Sequence, residues 1–140
     1  MQLPDCCYRV SIKALILNGS RDKFLIAKED NGYWGLPGGG LDHGTTPQED
    51  LPREIMEEMG LKTTWVADQP CYFHTGQQMM NPSTKIANVL YECTVENLDF
   101  TPSSECVEIA FVDKNNIAAL QLFDDIIELA NVFDPKKHQG

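Results

Sequence analysis

The chain has 140 residues, 42% of them hydrophobic, and a formal net charge of −10. Such a length and apolar fraction suit one globular domain with its own core and exclude a disordered chain. The acidic balance disfavours nucleic acid as a partner, since phosphate backbones are gripped by Lys and Arg clusters.

No apolar run approaches the roughly 18 residues of a membrane span. The start, Met1 to Cys7, carries neither a basic region nor a long apolar one, so it is not expected to be a signal peptide. The cysteines, Cys6, Cys7, Cys71, Cys93 and Cys106, are odd in number and fit no zinc spacing. They read as reduced thiols of a cytoplasmic protein, with a Cys6–Cys7 metal or redox pair as the minor alternative.

Tyr8 to Leu17 is aliphatic and β-branched and predicts a strand. Asn18 to Asp22 is a turn, and Lys23 to Lys28 reads as the returning strand of a hairpin. Asn31-Gly32 signals another turn, after which Tyr33 to Leu36 lead into Pro37-Gly38-Gly39-Gly40. The triple glycine is expected to break regular structure. It is either a flexible turn or a place where backbone approaches a phosphate or metal too closely for a Cβ.

A helix follows, with Thr46 as N-cap, Pro47 at its first position and Glu49 three residues after the cap. Leu51, Ile55 and Met59 recur every four residues and form its core face, and Gly60 is the stop signal. Pro52 implies a kink or a later start, either of which leaves residues 54–58 helical. Glu54, Glu57 and Glu58 then stand at i, i+3 and i+4 on one face. Three like charges there repel one another. The face is either a solvated acidic surface or a ligand set for a hard divalent cation, which takes oxygen donors.

Further strands are expected at 62–67, 70–74, 85–95 and 108–113, with a polar loop at 75–84 centred on Met79-Met80. Phe73 alternates like a core residue, and His74 and Tyr72 are candidates to line a pocket. Core packing is favoured over base stacking for Tyr33 and Trp34, and His43 is expected to be exposed. Asp113 is expected to cap a short helix at 116–120, residues 122–133 form a second long helix, and the tail 134–140 is expected to fray. The order points to an α+β domain, a mixed β-sheet covered by helices on both faces.

The spacing from Gly39 through Arg53-Glu54-Ile55-Met56-Glu57-Glu58-Met59-Gly60-Leu61 resembles the signature of the Nudix hydrolase family. The resemblance implies an α/β/α sandwich and metal-dependent hydrolysis of a diphosphate bond in a nucleoside diphosphate linked to another moiety. It implies Mg²⁺ or Mn²⁺ held first by Glu57 and Glu58, with Glu54 as a third ligand or as the base that positions water. A carbonyl of Gly38 or Gly39 would complete the set, and Gly38, Gly39 and Gly40 would lie against the substrate. Arg53 would brace Glu57. Glu105 would act as a further base or ligand from a late loop, while Glu108 would begin a strand. Homodimers are frequent in the family.

One position departs: Thr45 stands where the family has its first glutamate. Asp42 and Glu49 are the nearby carboxylates that would compensate. The proline and tyrosine marks of two substrate classes are both missing from residues 75–78, so the substrate stays open among small nucleotides and their derivatives. The alternative reading is a nucleotide-binding or sensor module that holds its ligand without cleaving it.

Overall fold

The computed structural model describes residues 7–79 and 81–139; Met1 to Cys6, Met80 and Gly140 lie outside the described residues, and with them half of the Cys6–Cys7 pair. The elements are Tyr8–Ile16 (β1), Phe24–Lys28 (β2), Trp34–Gly35 (β3), Gly38–Gly40 (β4), Pro47–Met59 (α1), Thr63–Val66 (β5), Tyr72–Gln77 (β6), Lys85–Val95 (β7), Glu108–Val112 (β8), Asp124–Val132 (α2) and a short 3-10 helix at Pro135–His138.

Two sheets form. The larger runs β4-β1-β7-β5, with β6 also pairing β7, and the smaller runs β3-β2-β8. Strands β1 and β7 are parallel, from Tyr8 opposite Lys85 to Ile16 opposite Cys93. The other pairs are antiparallel. The expected hairpin between the first two strands is therefore corrected. A single bridge, Leu17 to Phe24, joins them. Each is buried along its central residues and becomes the middle strand of a separate sheet.

Alternation along β1 and β2 sorts the core into two layers. Ile12, Ala14, Ile16, Leu25 and Ala27 meet Leu51, Ile55 and Met59 of α1. Leu15, Phe24 and Ile26 face the other way and meet Ile126, Leu129 and Ala130 of α2. The result is the expected α/β/α arrangement, with the larger, mixed sheet and the smaller antiparallel one between two helices. Leu51 and Ile55 are fully buried; truncating either to Ala costs about 2–5 kcal/mol.

Several local expectations change. Gly38 to Gly40 are not a break but the edge strand β4, paired with Ser11 to Lys13. Strand β6 continues through Gln77, which shortens the expected loop. Residues 116–120 make turns rather than a helix, closed by Asn116 N–H to Asp113 O and Leu120 N–H to Ile117 O. Trp34 is core, whereas Phe73 is 63% exposed because Tyr72 and His74 take the inward face of β6.

Residues 134–139 of the tail, expected to fray, pack against the domain. Tyr72 Oη accepts from the Asp134 N–H (3.0 Å) and lies 2.9 Å from His138 Nε2. His138 Nδ1 lies 2.7 Å from Glu92 Oε1, and Arg21 donates to the His138 carbonyl. The Tyr72 hydroxyl proton is thus free to point at Nε2, which leaves Nδ1–H as the donor to Glu92.

Candidate active site

The helix that carries the glutamates is fixed at both ends. Thr46 Oγ1 accepts from the Glu49 N–H, Pro47 starts the first turn, and Gly60 closes the helix in the left-handed region with φ 66°. Pro52 sits within the helix without ending it. It removes the N–H that would reach the Gln48 carbonyl, at a cost of about 3 kcal/mol, and tertiary packing of Leu51 and Ile55 holds the helix together across it.

Glu54 and Glu58 point from α1 into an open cavity of about 850 Å³. Strand β4 supplies its adjoining wall. A Cβ on Gly39 would stand 3.0 Å from the Glu54 carboxylate, and one on Gly38, at φ 137°, would collide with the Ile12 carbonyl. The glycines are therefore required by the close approach of backbone and acid. Glu105 arrives from the turn before β8. Ser103 Oγ donates to the Glu58 carbonyl (2.7 Å) and accepts from the Glu105 N–H (3.2 Å), which ties that turn to the end of α1. Glu29, just past β2, is a further cavity acid that the sequence reading missed, as are Asp124, Asp125 and Glu128 near the start of α2.

Crowding and burial show in the acids. Burial pushes the Glu58 carboxyl up to about 8; Glu105 and Glu54 add to the rise, against Lys13 and the Gly38 N–H. Burial also raises Glu54, with Glu57 and Glu105 adding to it, and raises Glu29, with Glu105 next. Such a set of hard oxygen donors held against mutual repulsion suits a divalent cation.

Glu57 behaves differently. Both its oxygens lie 3.3 Å from Arg53 Nη1, and its side chain is 58% exposed. Among the described residues no three acids, histidines or cysteines are drawn together tightly enough to enclose a metal. Arg53 thus braces Glu57, as expected, and also reaches Glu54 at 3.4 Å, Asp50 at 3.6 Å and Asp42 at 3.3 Å.

Thr45, which stands where the resemblance puts a glutamate, is tied to a buried carboxylate. Thr45 Oγ1 donates to Asp50 Oδ2 at 2.8 Å, and the Asp42 N–H donates to the same oxygen at 3.2 Å. Asp50 is 2% exposed. Burial works against its charge, but the Asp42 N–H, Thr45 and Arg53 together hold its carboxyl below the usual range. Asp42 does join this network, whereas Glu49 is turned outward against Thr46. The sequence signal for Asp50 was its place three residues before Arg53, on the same helix face.

His74 lines the cavity, Tyr72 is core, and His43 is exposed. Lys13 was also missed; it is the only lysine or arginine among the described cavity-lining residues, and it stands out as a charge inside an apolar strand.

The NUDIX domain family matches residues 8–132. A nucleoside triphosphatase NudI from Enterobacter sp. (strain 638) is 31% identical over 97 residues, which is 65% of this chain and 69% of that protein. A MutT-like protein from Streptomyces ambofaciens is 34% identical over 55 residues, a match that spans only 36% of the relative. The crystal structure of a MutT protein from Methanosarcina mazei Go1 superimposes with a TM-score of 0.67 at 22% identity, covering 98% of this chain and all of that one. That likeness concerns the fold, and the match from β1 through α2 concerns the lineage: the chain belongs to the NUDIX family of hydrolases.

Proposed function

We propose that the chain is a metal-dependent pyrophosphohydrolase that cleaves a diphosphate bond in a nucleoside diphosphate linked to another group. The observation that carries this reading is Glu58, buried beside Glu54, Glu105 and the backbone of Gly38 at one wall of a nucleotide-sized cavity. Glu58, Glu54 and the Gly38 carbonyl would hold Mg²⁺ or Mn²⁺, joined by Glu57 when Arg53 releases it. Such an ion polarises phosphoryl oxygen and acidifies bound water.

The chain's own residues do the rest. Gly38, Gly39 and Gly40 let the phosphates lie flat against β4. Lys13 offsets phosphate charge in an otherwise acidic cavity. Glu54 or Glu105 takes the proton from the attacking water, both being cavity carboxylates next to Glu58. Arg53, with Asp50 and Asp42, holds Glu54 and Glu57 in place.

The test is a panel of nucleotides with Mg²⁺ or Mn²⁺, followed by release of phosphate, pyrophosphate or nucleotide products. Turnover that falls by orders of magnitude in Glu58→Gln, with the fold intact, supports the reading. No turnover of any substrate by the folded wild-type protein overturns it. Saturable binding without turnover would then favour the binding-module alternative, which Thr45 motivates.

A further inference from the structure

Strand β6 lies at the rim of the larger sheet, and its outer edge has no strand beside it. Among the described residues it pairs with β7 alone, from Tyr72 opposite Leu90 to Gln77 opposite Lys85. Just past its end the Gln78 N–H donates to the Thr84 carbonyl at 3.0 Å, which sets the phase of the ladder. Bonded pairs alternate along an antiparallel ladder, so Tyr72, His74 and Gly76 exchange their bonds with β7. Phe73, Thr75 and Gln77 turn their N–H and C=O groups outward instead, and none of these backbone groups has a partner among the described residues.

The other edges of this sheet are blunted. Strand β4 has three residues, and β5 has four with an irregular register between Thr63 and Trp65. Strand β6 has six residues in unbroken register and carries no proline, lysine, bulge or charge, the devices that keep sheet edges apart. Exposed apolar surface adjoins it. Phe73 stands in one row with Val89 and Ile12, and Thr75 in the next with Ala87 and Val10. Helix α1 packs on Ile12, Ala14 and Ile16 and leaves this end of the sheet face open, where Phe73, Val10 and Tyr8 are exposed.

From this arrangement we infer that the β6 edge docks on the β6 edge of a second copy of the chain, antiparallel, about a two-fold axis at Thr75. Thr75 then faces the partner's Thr75, and Phe73 faces the partner's Gln77. Every outward N–H and C=O of the three residues finds its complement, and symmetry supplies the match without a second sequence. The net charge of −10 opposes self-association, but β6 itself is uncharged and the charge paired with its far end is the cationic Lys85, which donates to Gln77 Oε1 at 2.8 Å. The copies thus meet where their repulsion is weakest. A strand of this length spans about 20 Å, and its edge covers less than the roughly 800 Å² per partner of a standard interface. The dimer is accordingly a weak one that forms with concentration. The inference is independent of the hydrolase reading, since no cavity acid takes part in it.

The test uses sedimentation velocity on the full chain, from micromolar to near-millimolar concentration, beside amide hydrogen exchange over the same range. The wild type is expected to pass from monomer to dimer as concentration rises. The amides of Phe73, Thr75 and Gln77 are expected to gain protection in step with that change, while those of His74 and Gly76 stay protected throughout. Thr75→Pro deletes an outward N–H and spares every bond to β7, and Phe73→Lys places a charge on the edge. Each is expected to raise the dimer dissociation constant at least about tenfold, with the melting temperature of the dilute protein close to that of the wild type. The lysine variant leaves the backbone untouched, so it carries the test if the proline variant does not fold. A chain that stays monomeric at every concentration overturns the inference. So does a dimer that both variants leave intact, or one whose Phe73, Thr75 and Gln77 amides exchange at a rate indifferent to concentration.

Discussion

Glu58 makes the stability of the metal-free protein depend on pH in an unusual direction. Its folded carboxyl is pushed to about 8, against 4.5 for an ordinary glutamate. Below pH 4.5 both folded and unfolded chains hold the proton. Between there and 8 the unfolded chain ionises while the folded one resists, so stability falls as pH rises through that window and levels off above it. At about 1.4 kcal/mol per pH unit the loss is on the order of 5 kcal/mol. Glu58→Gln retains an acceptor for the Gly38 N–H and removes the titration. Urea unfolding at pH 5, 6.5 and 8 with a chelator present is the assay. The wild type should weaken steadily, the variant should stay much flatter, and the variant should be the more stable of the two at pH 8. Mg²⁺ should narrow the difference at pH 8 by stabilising the wild type alone. Parallel pH slopes for the two proteins would refute the buried, crowded environment assigned to Glu58.

Asp50→Asn should cost about 1–3 kcal/mol, because Thr45, the Asp42 N–H and Arg53 lose a charged acceptor; chemical denaturation measures the loss, and kcat should drop as Arg53 loosens. Pro52→Ala restores the N–H for the Gln48 carbonyl and should gain up to about 3 kcal/mol, seen as a melting temperature several degrees higher; an unchanged value would mean that carbonyl is already satisfied. Removing the tail's anchor with His138→Ala should cost about 1–3 kcal/mol and expose the amides of 134–139 to rapid hydrogen exchange, since Tyr72 and Glu92 lose their partner. A tail that exchanges equally fast in the wild type would contradict the packing described for it. Gly39→Ala should impair turnover more than stability, because the added Cβ meets the Glu54 carboxylate rather than the core.

Local signals in the sequence carried the elements that are set locally. Helix α1 was legible from Thr46, Pro47 and Gly60, whose capping chemistry acts over one turn. So was the long β7; of the expected Glu54, Glu57 and Glu58 set, Glu54 and Glu58 line one cavity with Glu105, the acid the resemblance implied from a late loop, whereas Glu57 is not among the lining residues. Strand partnership was not legible: β1 and β2 adjoin in sequence, yet buried strands choose neighbours by which faces need cover. The glycine run also misled, because its propensity to break structure is overridden when close approach to Ile12 and Glu54 leaves only glycine able to occupy an edge strand. Asp50 was missed for a different reason: its place three residues before Arg53 on the helix face is a faint signal. Its contacts with the Thr45 hydroxyl and the Asp42 N–H are a three-body geometry that a one-dimensional pattern does not carry.

The parallel pairing of β1 with β7 carries a consequence for how this protein comes into being. Tyr8 meets Lys85 and Ile16 meets Cys93, so the central ladder closes a loop containing β2 to β6 and the whole of α1. Chain-closure entropy is charged before that ladder returns any stability, which places such a topology among the slower folders. A nascent chain that has emerged only through Gly60 holds the glycine strand and every glutamate of α1, yet lacks the partner that makes β1 a central strand. The acids are thereby brought to their crowded positions late, once β7 has locked the sheet beneath them.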